Sequence, residues 1–346
     1  MANKLRWLMF GAGAIGTYVG GSLLLAPGKN QDVVFVERPA VAEEIRSRGL
    51  KLNLSGVEKH IPNPAVYGSV AEALQTGPFD IAVFALKSFD TAPALEGYRP
   101  YFDQLPPFLC LSNGVDNEVT LAAALGKQKV IAGTITAAVG RRGAGDINLE
   151  RKRGLGVASG HPLSEQIVAA MNEADLNVRL YKDGPSMKWS KMLTNLTTNA
   201  SSAILDLPPS AIYANLSLYE IEVRMLREAL AVMKALKLEV VSLPGVPVQL
   251  IGIAAALPAA ITRPLFAQQA GKGRGNKMPS FHIDLHAGRT QSEVDYLNGA
   301  VVRFGKQFGI PTPVNQILND TLLKMTSGEM DRKKYAGKIT EFTNLF

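Results

Sequence analysis

The sequence predicts an α/β fold, an N-terminal doubly wound parallel sheet followed by a mostly α-helical C-terminal domain. Three observations predict it. A glycine-punctuated apolar segment opens the chain. Short apolar runs then alternate with helical stretches up to residue 181. From residue 187 the pattern turns helical and is interrupted by prolines. The 346 residues are enough for two domains, read here as 1–183 and 184–346.

The first element is Leu5-Arg-Trp-Leu-Met-Phe-Gly-Ala-Gly-Ala-Ile-Gly16, an apolar run ending in Gly11, Gly13 and Gly16. A helical stretch follows, then the strand-like Asp32-Val-Val-Phe-Val-Glu37. Strand, glycine turn, helix and strand in that order make a dinucleotide-binding βαβ unit. Gly11 allows the tight turn, Gly13 lets the backbone approach a pyrophosphate, and Gly16 lets the helix pack on the strand. The loop Gly11, Ala12, Gly13, Ala14, Ile15 and Gly16 is therefore the candidate phosphate cradle, with the helix N-terminus offering free N–H groups. Residues 7–26 carry no charge and could pass for a leader or a span. They hold five glycines and no continuous aliphatic core, unlike a span of about 20 strongly apolar residues or a compact signal h-region.

The elements that follow keep the alternation. A helix ends over 43–49. Residues 79–86 and 108–112 read as buried parallel strands, too apolar to alternate. A helix over 117–125 leads to a strand over 129–132, and further strands fall at 155–158 and 177–181. The second domain reads as helices over 187–205, 216–236, 246–256 and 291–308, punctuated by Pro208-Pro209, Pro244, Pro258 and Pro279. Gly271-Lys-Gly-Arg-Gly-Asn276 reads as a flexible loop.

Composition narrows the function. The chain is 47% hydrophobic and 19% charged, the profile of a soluble globule with a substantial core. Its single cysteine, Cys110, lies in an apolar run and reads as a packing residue in a reducing cytoplasm. The net charge of +7 is scattered in small clusters without interleaved aromatics, which excludes a nucleic-acid binder and suits an anionic coenzyme and substrate.

Ligands of open α/β sheets bind beyond the carboxyl ends of the strands. Lys87 and Asn113 stand there, each with an ordinary alternative as a solvated lysine and an Asn-Gly turn. At the end of the second strand an acid accepts from the ribose 2′-OH of NAD, whereas an arginine accommodates the 2′-phosphate of NADP. The chain supplies both, Glu37 then Arg38. In the second domain Lys191, Asn195 and Asn199 are spaced four apart, and each step of four drifts only about 40° on a helix, so all three are expected on one face. Such a stripe faces solvent or lines a site. A lysine near an apolar wall can serve as a general acid. Glu293 fits the end of a capping box, Thr290-Gln-Ser-Glu293. His282 and His286 lie four apart, but no third ligand cluster is evident and no metal is expected.

Taken in order, several pieces resemble the ketopantoate reductase (2-dehydropantoate 2-reductase) family over nearly the whole chain. They are Gly11-Ala-Gly-Ala-Ile-Gly16, Ala85-Leu-Lys87, Ser112-Asn-Gly-Val115, Gly133-Thr-Ile-Thr136, Trp189-Ser-Lys-Met-Leu-Thr-Asn195 with Asn199, Pro279-Ser280, and Gly288-Arg289 leading to Glu293-Val-Asp-Tyr-Leu-Asn-Gly299. The resemblance implies a Rossmann domain, a helical C-terminal domain and an active site in the cleft between them. It implies Lys191 as proton donor and Glu293 as holder of the substrate hydroxyl and the lysine network. Asn195, Asn199, Ser280 and Asn113 would bind substrate. Lys87, Asn113 and the backbone around Ala137 would contact the coenzyme, and Arg38 would meet the 2′-phosphate of NADPH.

The sequence departs from the family pattern at Glu37, at Lys277, after Asn199 and in a Ser280–Glu293 stretch one residue longer. These changes leave the fold and redox class intact but bear on the substrate, because pocket groups set which ketone is accepted. The expectation is NADPH-dependent reduction of 2-dehydropantoate to D-pantoate, with NADH left open by Glu37. The partner is a small anionic 2-oxo acid, with no nucleic acid and no membrane, and a homodimer is left open. The alternatives are a reductase of another 2-oxo acid or ketone and a regulator that binds NADP(H) without turnover.

Overall fold

The structure is a computed structural model describing residues 4–28, 31–264 and 277–346. The loop expected at 271–276 lies outside the described residues. In chain order the first half holds β1 (Arg6–Phe10), α1 (Ala14–Leu25), β2 (Asp32–Val36), α2 (Pro39–Arg48), β3 (Leu50–Leu54), β4 (Val57–Ile61), β5 (Ala65–Tyr67), α3 (Val70–Leu74), β6 (Ile81–Phe84), α4 (Thr91–Tyr98) and β7 (Phe108–Cys110). It continues with α5 (Asn117–Leu125), β8 (Val130–Ile135), β9 (Ala138–Gly143), β10 (Asp146–Arg151), β11 (Leu155–Ala158), α6 (Ser164–Glu173) and β12 (Val178–Tyr181).

An eight-stranded sheet runs β12-β11-β8-β7-β6-β1-β2-β5. Its pairs are parallel except β11 with β8. The chain leaves β1 in one direction through β2 and β5, then returns to β6 on the other side, which makes a topological switch at β1. The strands are apolar throughout because both faces are covered. Successive side chains point to opposite faces. Trp7, Met9, Phe35 and Val83 accordingly enter one core, while Leu8, Phe10, Phe84 and Phe108 enter the other. This is the expected α/β class.

A second sheet, β4-β3-β10-β9, was not expected from the sequence. β10 pairs in parallel with β3 and antiparallel with β9. Leu52 and Ile147 bury one face in the core that also holds Tyr18, Val19 and Leu23 of α1. β4 is almost wholly exposed, so it offers no apolar signal.

Contacts divide the described residues into two units, with Gly114–Asp116, Trp189–Ser242 and Pro247–Phe346 forming the second. Its elements are the later turns of α7 (Gly184–Leu196), then α8 (Asn199–Leu205), α9 (Pro209–Ala214), α10 (Leu216–Ala235), α11 (Gln249–Ala256), α12 (Ser280–His286), α13 (Val294–Phe308), α14 (Pro313–Ser327) and α15 (Ile339–Thr343). No described helix is long and apolar enough to cross a membrane.

The single helix expected over 187–205 is two helices. Thr198 takes a left-handed conformation, φ 57°, and separates α7 from α8. The cause lies on α10. The Glu222 carboxylate, 1% exposed, accepts from Thr198 N at 2.7 Å and from the Ser201 hydroxyl, capping α8 from outside. Glu228 does the same for α14, accepting from Val314 N at 2.8 Å and Asn315 N at 2.9 Å.

In the first unit Lys188 is 4% exposed. Its ammonium donates to Ser112 O at 2.6 Å and Gly133 O at 3.2 Å, just past β7 and within β8, and pairs with Glu118 at 2.8 Å. Burial opposes its charge, but Glu118 holds its pKa above the ordinary lysine value.

Two outcomes follow. Lys188→Ala strands Glu118 and should lower stability by about 3 kcal/mol. Urea unfolding reads this, and a loss under about 1 kcal/mol would show that the pair does not tie the strand ends. Burial pushes the Glu222 carboxyl up to about 7. A folded-state pKa raised this way gives stability that is complete below the ordinary carboxylate range and lost as pH rises through about 7. Wild type should lose up to about 3 kcal/mol between about pH 5 and pH 8, and Glu222→Gln should flatten that slope. An unchanged slope in the variant would remove Glu222 as its source.

Candidate functional site

The candidate coenzyme residues line one edge of the large sheet. Gly11 follows β1, Glu37 and Arg38 follow β2, Lys87 is the third residue past β6, Asn113 the third past β7, and Ala137 lies in the two-residue link between β8 and β9. Gly11 takes φ 92° and its N–H donates to Val36 O at 3.0 Å. A Cβ on Gly16 would stand 1.9 Å from Gly11 O, whereas one on Gly13 would meet nothing within 4 Å. The helix start is thus pressed onto the turn while Gly13 faces open space. No side chain caps α1 at Gly13. This geometry fits a dinucleotide pyrophosphate, with the backbone from Gly13 to Gly16 as its cradle. Ala14 and Ile15 begin α1 there, half-buried.

Ala12 differs from its neighbours. Its side chain is in the core, its carbonyl accepts from the Thr17 hydroxyl at 2.9 Å, and its N–H donates to Glu37 Oε1 at 2.7 Å. The other Glu37 oxygen accepts from Arg38 N at 3.2 Å. The charge on Glu37 also reaches Tyr98, whose hydroxyl is pushed up to about 12, first by burial and then by that carboxylate.

A buried network that sequence reasoning missed holds the next two strand ends. Thr91 Oγ1 donates to Asn117 Oδ1 at 2.7 Å, and Asn117 Nδ2 donates to Ser88 Oγ at 3.1 Å and to Asn113 O at 2.6 Å. Ser88 Oγ donates to Asn113 O at 2.9 Å. Lys87 and Asn113 are therefore presented by loops tied to each other. Asn117 is invisible in the sequence because it opens an ordinary helix. Cys110 is buried and its thiol is raised by burial first and by Glu118 second, which keeps it inert.

In the second unit the expected stripe divides in two. Lys191, half-buried on α7, donates from Nζ to Asn195 Oδ1 at 2.7 Å. Asn199 lies beyond the Thr198 break, at the start of α8 rather than on the face of α7. It is joined instead to Ser280, to whose Oγ its Nδ2 donates at 3.3 Å, while its Oδ1 accepts from Phe281 N at 3.0 Å. Asn199 thus caps α12 from a distant segment and fixes exposed Ser280 at the helix tip.

The capping box expected at 290–293 does not form. Glu293 is itself the N-cap residue of α13, with no cap bond from its side chain, and Val294 N donates to Ser292 Oγ. Its carboxylate is 2% exposed, a burial that a surface cap would not need.

The reason given against a metal also needs correction. A third group joins the histidines, since Asp206 at the end of α8 lies 2.6 Å from His282 Nε2 and 3.7 Å from His286 Nε2. The two imidazoles stack at 4.0 Å. His286 is shifted down by burial, then by His282, with Arg332 and Lys333 adding to the effect. The cluster ties α8 to α12.

An ammonium held by an amide on one helix is a group that can give a proton, and a glycine turn at a sheet switch is one that can hold a dinucleotide. Known proteins point the same way. Residues 7–159 match the family described as ketopantoate reductase PanE/ApbA, and residues 185–325 match its C-terminal domain. A 2-dehydropantoate 2-reductase of Mesorhizobium japonicum is 30% identical, the match covering 89% of this chain and 94% of that protein. One from Pyrococcus horikoshii is 24% identical over 91% and 95%. The crystal structure of a PanE/ApbA family ketopantoate reductase from Ralstonia eutropha JMP134 superposes with a TM-score of 0.78 at 24% identity, covering 94% of this chain and 99% of that one. D-mandelate dehydrogenase in a ternary structure with NADH and anilino(oxo)acetate has a TM-score of 0.76 at 21% identity, with coverage of 94% and 99%. With both of its domains matched in order, the chain belongs to the ketopantoate reductase family.

Proposed function

We propose that this oxidoreductase reduces the C2 ketone of a small anionic 2-oxo acid in a reducing cytoplasm, with 2-dehydropantoate as substrate and D-pantoate as product. The observation that carries the reading is the Lys191 ammonium held by Asn195 at 2.7 Å. A nicotinamide coenzyme held at the glycine turn would supply the hydride. Negative charge then grows on the ketone oxygen, and the Lys191 ammonium stabilises it and donates the proton. Asn195 aims that ammonium by accepting one of its three hydrogens. Ser280 offers its hydroxyl to the substrate from a position set by Asn199. Buried Glu293 accepts from the substrate hydroxyl. Lys87 and Asn113, held at their strand ends, face the coenzyme. Arg38, exposed at the start of α2, favours a 2′-phosphate and so NADPH, while Glu37 one residue earlier opposes it.

The family relatives named 2-dehydropantoate 2-reductase support this substrate. A panel of aliphatic and aromatic 2-oxo acids, followed by coenzyme absorbance, tests it. Fast turnover on 2-dehydropantoate is expected. Turnover confined to another acid replaces the substrate, and coenzyme binding without any turnover leaves only a regulator. Lys191→Ala should cut kcat about 10²- to 10⁴-fold, and a near-normal kcat in that variant would reject Lys191 as the acid. Asn199→Ala should act through Ser280. Its KM should rise in step with that of Ser280→Ala, and the double variant should add little to either. Fully additive effects would separate the two residues.

A further inference from the structure

Building on the coenzyme reading above, we propose that Glu37 makes this chain select NAD(H) over the 2′-phosphorylated coenzyme. Glu37 is the first residue past β2, where an acid meets the adenosine ribose of a dinucleotide in this fold. Its carboxylate is not a loose surface group. Oε1 accepts from Ala12 N of the glycine turn at 2.7 Å and Oε2 from the N–H of the next residue, Arg38, at 3.2 Å, so both oxygens are held by backbone amides. Two such bonds fix its orientation. It also lies against the glycine turn, since a Cβ on Gly11 would be 3.8 Å from Oε1.

A ribose 2′-OH can donate to that carboxylate. A 2′-phosphate, mostly dianionic at neutral pH, repels it. Arg38 is the counterweight, but it is exposed, and no described residue accepts from its guanidinium. A solvated cation is screened and held at an entropic cost, whereas the carboxylate is already fixed in place. The fixed anion therefore decides the preference.

Isothermal titration of the purified protein with NADH and with NADPH tests this without reference to turnover. Wild type should bind NADH at least about tenfold tighter than NADPH. Glu37→Gln keeps an oxygen for Ala12 N but loses the charge, so its preference should shrink by at least about tenfold. Circular dichroism melting checks that the variant is folded. Equal or tighter NADPH binding by wild type overturns the proposal, and so does an unchanged ratio in a folded Glu37→Gln. If wild type binds neither dinucleotide, the coenzyme reading falls and takes this inference with it.

Discussion

Everything at the sheet edge depends on the approach of α1 to β1. The 1.9 Å that would separate a methyl group on Gly16 from the Gly11 carbonyl leaves no room for any other residue. That approach aims the first turn of α1 outward, leaves Gly13 uncovered, and puts Ala12 N where Glu37 can reach it. The order of strands then does the rest. Because β6, β7 and β8 follow β1 across the sheet in parallel, their ends deliver Lys87, Asn113 and Ala137 to the same edge.

Buried polar groups do the positioning in both units, always by satisfying backbone atoms that strand and helix ends leave open. Lys188 takes the carbonyls of Ser112 and Gly133. Asn117 takes that of Asn113. Glu222 takes the N–H of Thr198, and Asn199 that of Phe281. Except for Asn117, four residues from Asn113, each of these side chains is remote in sequence from the segment that it holds. The apolar cores give stability, while these few bonds set where Asn113 and Ser280 stand.

The sequence was most legible where an apolar run ended at a turn residue. The strand at 155–158 and the helix at 117–125 have the bounds read from it, because burial and the turn signals agree there. It was least legible where a distant residue decides. Nothing around Thr198 breaks a helix, and the break is made by Glu222, 24 residues on. The second sheet hid behind the exposed Val57-Glu-Lys-His-Ile61. Asp206 carried no hint of the two histidines that it meets. At the site, spacing alone put Lys191 and Asn195 in register, since both lie on one helix. It misplaced Asn199, whose neighbours are set by α12. Glu37 and Arg38 were both legible as letters, but which one is anchored depends on the Ala12 amide, and only coordinates show that.

Helices α8 and α12 are pinned to each other at both extremities. Asn199 holds Ser280 and Phe281 at one end, and Asp206 holds His282 and His286 toward the other. Two short rods riveted twice cannot slide or pivot independently. A displacement of either helix carries the other with it, so the imidazoles at the second rivet are a natural reporter of the pair, visible as ring-proton resonances without any engineered label.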